Sequence, residues 1–86
     1  MNQSIQFPDR EEWDTAASAV IFPALVNGMQ LTCAIKKKDV LAYRFGGETA
    51  EQWLTIFREY RWDLEEEAEA LILAQQEDDH GWIWLS

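Results

Sequence analysis

Apolar and polar positions alternate in the first part of the chain, at Ile5 to Phe7 and Met29 to Ile35, fall into a three-and-four spacing from Trp53 to Gln75, and close on an unbroken apolar run, Trp82 to Leu85. Ile5 and Phe7 flank Gln6, which predicts a short edge strand ended by Pro8-Asp9. Arg10 to Ser18 reads as a short turn or irregular loop, with Asp9 placed to cap a helical turn and Trp13 turned inward. Ala19-Val20-Ile21-Phe22-Pro23-Ala24-Leu25-Val26 is a β-rich run that meets Asn27-Gly28, and Met29 to Ile35 returns from it. Asn-Gly is a strong hairpin signal because both residues tolerate the positive φ of a type I′ turn. Pro23 has no amide proton, so its strand should carry an edge or a bulge there.

Beyond the hairpin, Lys36-Lys37-Lys38-Asp39 leads into Val40 to Phe45, which fits a short helix stopped by Gly46-Gly47. Thr49 and Gln52 have capping-box spacing. Trp53, Ile56, Phe57, Tyr60, Leu64, Ala68, Leu71, Ile72 and Gln75 then keep a helical period. One helix over 49–78 or two shorter ones satisfy it. A break near Arg61 is expected, because helices average roughly 11–12 residues. Asp78-Asp79-His80-Gly81 reads as a turn and Trp82-Ile83-Trp84-Leu85 as a closing strand.

The order β-β-β-α-α-β predicts an α+β domain spanning residues 1–86. Its small antiparallel sheet comprises the N-terminal strand, the hairpin and the C-terminal strand, with helices packed on one face. Periodicity does not choose which strand the last one joins.

Composition narrows the classes of function. The chain has 86 residues, 48% of them hydrophobic, and a formal net charge of −9. A chain of this length holds one modest core, and its acidity argues against direct binding of nucleic acid through a basic footprint. A single Cys, Cys33, excludes an intrachain disulfide and fits a reducing compartment. Neither a signal-peptide pattern nor a membrane-length apolar run is visible, so a cytoplasmic protein is expected.

Charge is concentrated: residues 61–86 hold eight acids against the one base Arg61. On a helix, Asp63, Glu66, Glu67 and Glu69 fall opposite Leu64, Ala68, Leu71 and Ile72. Such a strip serves as a solvated face, as a docking strip for a basic protein, or as a nucleic-acid mimic presenting spaced carboxylates. Glu77, Asp78, Asp79 and His80 are suited in kind to a divalent metal. A turn explains the same residues, because neighbours in sequence seldom converge on one ion. His80 is the only His and no nucleophile motif surrounds any Ser, Thr or Cys33, so no catalytic residue is assigned. Trp82 and Trp84 share one face of the last strand and Ile83 and Leu85 the other. One face therefore enters the core or meets a partner, including a second copy of the chain.

Four segments, Phe22 to Gly28, Tyr43 to Gly47, Arg61 to Glu69 and Glu77-Asp78-Asp79 with Gly81-Trp82, together resemble a family of short bacterial proteins known only as a domain of unknown function. The resemblance spans nearly the whole chain. It implies a small cytoplasmic α+β fold and brings no activity, cofactor or catalytic residue. The reading of the residues is thus a non-enzymatic interaction module without a cofactor, monomeric or homodimeric. Asp63, Glu66, Glu67, Glu69, Trp82 and Trp84 are its candidate partner-binding residues and a basic protein its expected partner. The alternatives are a nucleic-acid mimic that regulates a nucleic-acid-binding protein, and a small metal-dependent enzyme around residues 77–80.

Overall fold

The computed structural model describes residues 5–36 and 48–85. Along them run β1 (Ile5–Gln6), β2 (Glu12–Asp14), β3 (Ala19–Val26), β4 (Met29–Lys36), α1 (Ala50–Glu59), α2 (Arg61–Leu73) and β5 (Trp82–Leu85). The helix expected over Val40 to Phe45 lies outside the described residues.

The hairpin is the backbone of the sheet. β3 and β4 pair antiparallel in unbroken register from Ala19 opposite Lys36 to Val26 opposite Met29. Asn27 and Gly28 close the turn at φ 52° and 86°, the left-handed pair that a type I′ turn requires. On its other edge β3 carries two short strands, β2 against Ala19 to Ile21 and β1 against Leu25 and Val26. Pro23 falls in the gap between them. The missing amide proton is thus accommodated by interrupted pairing on one edge rather than by a bulge.

Two expectations are corrected. Residues 12–14 form a strand where a loop or helical turn was expected, because Trp13 pairs with Val20 and its ring stacks on Trp53 at 5.1 Å. Tertiary contact supplies what a three-residue segment with two acids does not show locally. The sheet is also mixed rather than antiparallel. β5 lies outside β4 and runs parallel to it, with Thr32 opposite Trp82 and Ile35 opposite Leu85. A chain that leaves β4 and comes back through two helices has the crossover length that parallel pairing demands.

The helices cover one face of this sheet. Val20, Phe22, Ala24, Cys33, Ile35, Ile83 and Leu85 form one buried cluster with Trp53, Phe57, Leu64, Ala68 and Ile72. Phe22 and Phe57 meet at its centre with ring centroids 4.7 Å apart. Alternation along a strand sends successive side chains to opposite faces, so Trp82 and Trp84 point away from the helices.

The periodic segment is two helices. Thr49 and Gln52 form the full capping box at the start of α1, with Gln52 N donating to Thr49 Oγ1 at 3.2 Å and Thr49 N to Gln52 Oε1 at 3.2 Å. Tyr60, at φ −105° and ψ 22°, ends α1 and begins α2. No side chain caps α2. Its first residue, Arg61, instead reaches back to the segment between β1 and β2. It donates to Glu11 Oε2 at 2.9 Å and to the Pro8 carbonyl at 3.1 Å, and pairs with Asp9 and, within the helix, with Glu65, each at 3.1 Å. Its guanidinium lies 5.2 Å from the centroid of the Phe57 ring. At its other end α2 closes in a Schellman motif, with Gln76 N bonded to Leu71 O and Gln75 N to Ile72 O. That geometry holds Gln75 at φ 56°, where glycine is the usual occupant.

Burial pushes the Glu11 carboxyl up, but hydrogen bonds from Arg58 and Arg61 outweigh it and hold the group below its ordinary 4.5. A depressed folded value stabilises the fold above the unfolded value, and this contribution is lost as pH falls through the folded one. Glu11→Gln is therefore expected to lower stability at pH 7 by about 1–3 kcal/mol, with the difference from the parent shrinking as pH drops below 4.5. Urea unfolding of both proteins across that range checks it. Gln75→Gly relieves the left-handed conformation and should raise stability by roughly 0.5–1 kcal/mol in the same assay.

Candidate functional site

The residues singled out as partner-binding divide between two sides of the molecule. Leu64, Ala68 and Ile72 turn one side of α2 into the core. Asp63, Glu66 and Glu69 consequently stand exposed on the outer side, and Glu67 is half-buried at its margin. Trp82 and Trp84 sit on the far face of the sheet, so one partner surface does not combine them with the acidic strip.

The aromatic that does accompany the strip is Trp62, which is 84% exposed. Trp62, Glu66, Glu69 and Leu73 follow one another at helical spacing along the outward line of α2, and Leu73 is also exposed, at 54%. α2 thus carries apolar side chains on both its core side and its solvent side. Sequence reasoning passed over Trp62 because it weighed the carboxylates of this segment and not the aromatic standing outside the buried period Leu64, Ala68, Leu71 and Ile72. The signal available was that Trp62 and Leu73, eleven residues apart, lie on the same line as the acids.

Beside this line, an open cleft of about 340 Å³ runs between α2 and the segment Ile5 to Phe7. It is lined by the apolar Ile5 and Phe7, by Trp62, and by the carboxylates Asp63, Glu65, Glu66 and Glu69. Burial, reinforced by the Asp9 and Glu11 carboxylates, holds Glu65 above its ordinary 4.5 in spite of Arg61. Among the described residues, no cation pairs with Asp63, Glu66 or Glu69.

The Trp82–Trp84 pair is a built feature of another kind. The rings lie 5.5 Å apart and tilted, half-buried, and Lys36 Nζ stands 5.2 Å from the Trp84 ring centroid. Asp78 fixes this corner. Its Oδ1 accepts from His80 N at 2.8 Å and Trp82 N at 2.9 Å, and its Oδ2 accepts from Trp84 Nε1 at 2.7 Å. Gly81, at φ 77°, makes the tight return possible. The backbone bond to Trp82, then those from the Trp84 indole and His80, keep the Asp78 carboxyl below its ordinary value against a small opposing effect of burial.

Asp78 is thus occupied as a turn acceptor, while Glu77, Asp79 and His80 are exposed. Among the described residues no three His, Cys, Asp or Glu side chains converge on a point that would hold a metal. Cys33 is fully buried, and burial pushes its thiol up to about 12, far from a nucleophile's range. No described helix is long and apolar enough to cross a membrane.

Fold and surface together define a small α+β domain with a mixed sheet, helices on one face and an outward acidic-aromatic helix. The chain belongs to the family described as protein of unknown function (DUF1488), whose model matches residues 5–85. It is 71% identical over 85 residues to the uncharacterized protein YrdB of Escherichia coli K12, covering 99% of each chain. It is 69% identical over 85 residues to the uncharacterized protein YrdB of Shigella flexneri, again over 99% of each. Its fold matches the crystal structure of a DUF1488-family protein of unknown function from Shewanella loihica PV-4 at a TM-score of 0.92 and 39% identity, over 99% of this chain and 94% of that one.

The Asp78 geometry yields a direct expectation. Asp78→Ala removes three acceptor contacts at once, so the Trp84 indole proton and the Trp82 amide should exchange with solvent markedly faster than in the parent while amides in the β3–β4 hairpin keep their protection. Hydrogen exchange followed by NMR reads both. Unchanged exchange at Trp84 would show that the corner does not depend on this carboxylate.

Proposed function

We propose that this protein is a non-enzymatic, cytoplasmic interaction module that docks a basic protein on the outer face of α2. The observation that carries the reading is Trp62, 84% exposed on the same helix line as Glu66 and Glu69. Trp62 shares this line with the exposed Leu73, and Trp is among the residues most enriched where interfaces concentrate their binding energy. The flanking carboxylates repel one another at helical spacing, by a few tenths of a kcal/mol per pair, and an approaching Lys or Arg relieves that repulsion. The remoteness of the chemistry-bearing groups from one another, with Cys33 in the core and His80 on an exposed turn, supports a binding role over a catalytic one.

The charge-reversed variant Glu66→Lys with Glu69→Lys tests the reading. Both side chains are exposed, so the melting temperature should stay close to the parent's. Capture of a partner at low salt, its release at high salt and the loss of capture in the variant are the expected results. Equal capture by parent and variant would remove the acidic face from the mechanism.

A further inference from the structure

We propose that the cleft between α2 and the N-terminal strand receives an arginine side chain of the partner, in a peptide segment where arginine is preferred to lysine. This rests on the docking role of the α2 face and specifies its chemistry. The cleft combines apolar lining from Ile5 and Phe7, the Trp62 indole, and the carboxylates Asp63, Glu65, Glu66 and Glu69, of which Glu65 is already paired with Arg61. A guanidinium is flat, weakly hydrated and able to stack on an aromatic face while forking onto carboxylates, whereas an ammonium is a strongly hydrated point charge. The electrostatics select a cation, and the indole beside the apolar lining selects the planar one.

The molecule already displays this arrangement once. Arg61 lies over the Phe57 ring while bonding to Asp9, Glu11 and Glu65. One residue further along the chain, Trp62 with Asp63, Glu66 and Glu69 repeats the same combination of ring and acids with no cation from the described residues pairing with those three acids. Arg61 serves the inner side of α2 and a partner's arginine serves the outer side. Complementarity of charge and the exposed Trp62 indole thus both favour an arginine-bearing peptide over an apolar one.

The probes are an Arg-Gly repeat peptide and a Lys-Gly repeat peptide of equal length and charge, titrated into the full chain and followed by NMR at the Trp62 indole and at the backbone amides of α2, the latter serving also for the variants. The Arg-Gly peptide is expected to bind more tightly and to shift the Trp62 signal. Trp62→Leu should weaken it roughly three- to tenfold and bring it level with the Lys-Gly peptide. Glu66→Gln with Glu69→Gln should weaken both peptides, while the charge-matched Glu48→Gln with Glu77→Gln should not. If the two peptides bind the parent equally and Glu66→Lys with Glu69→Lys abolishes both, the α2 face still docks basic chains but the arginine site is overturned. Failure of both peptides to bind, together with partner capture that survives the charge reversal, overturns the docking role as well. Concentration-dependent shifts of Trp62 with no peptide present, accompanied by a dimer in sedimentation, would give the cleft to a second copy of the chain and overturn the proposal.

Discussion

Arg61 ties together parts of the chain that are fifty residues apart, and the presentation of α2 depends on it. Its guanidinium, with the side chain 16% exposed, draws in the loop between β1 and β2 through Asp9, Glu11 and the Pro8 carbonyl while resting on Phe57. The bond to Glu11, whose side chain is 9% exposed, contributes about 1.5–3 kcal/mol, whereas Asp9, 91% exposed, adds little because water screens it. More important is direction: with Arg61 held inward, the rotation of α2 about its axis is set. Leu64, Ala68 and Ile72 then face the sheet, and Trp62, Asp63, Glu66 and Glu69 face out.

The same clamp explains why two short strands share one edge of β3. β1 and β2 have only two and three residues, too few to hold register by their own ladders. Arg58 and Arg61 grip Glu11 from the helix side at 2.6 and 2.9 Å, and Trp13 is stacked under Trp53. The edge is thereby ordered by ion pairs to Arg58 of α1 and Arg61 of α2 and by aromatic contact with α1 rather than by strand pairing alone. The acidic excess of the chain is divided accordingly: Glu11 and Glu65 are structural, paired with arginine, while Asp63, Glu66 and Glu69 are presented to solvent.

Much of the fold was legible from local rules because each rule acts within a few residues. The Asn27-Gly28 turn, the Thr49–Gln52 capping box, the division of the helical period beside Arg61 and the final Trp82 to Leu85 strand all rest on neighbours that decide their own backbone geometry. Glu12 to Asp14 was not legible as a strand, since a single Trp between acids acquires its pairing only once β3 and Trp53 are in place. The sense of β5 was hidden for a related reason: strand direction depends on where the two helices return the chain, and no residue within 82–85 encodes it.

The candidate surface divides in the same way. Sequence by itself determined that the charge gathers after Arg61 and that Asp63, Glu66 and Glu69 lie opposite an apolar helical stripe, because a period of 3.6 residues is fixed by backbone geometry. It also determined that Trp82 and Trp84 share a face, because side chains alternate along a strand. Only the tertiary structure decided that those two tryptophans lie across the sheet from the acids, and that Trp62 is the aromatic standing among them. Which side of an element meets the core is settled by its packing partners, here Arg61 against Glu11 and Phe57 against Phe22, and those contacts join residues far apart in the chain.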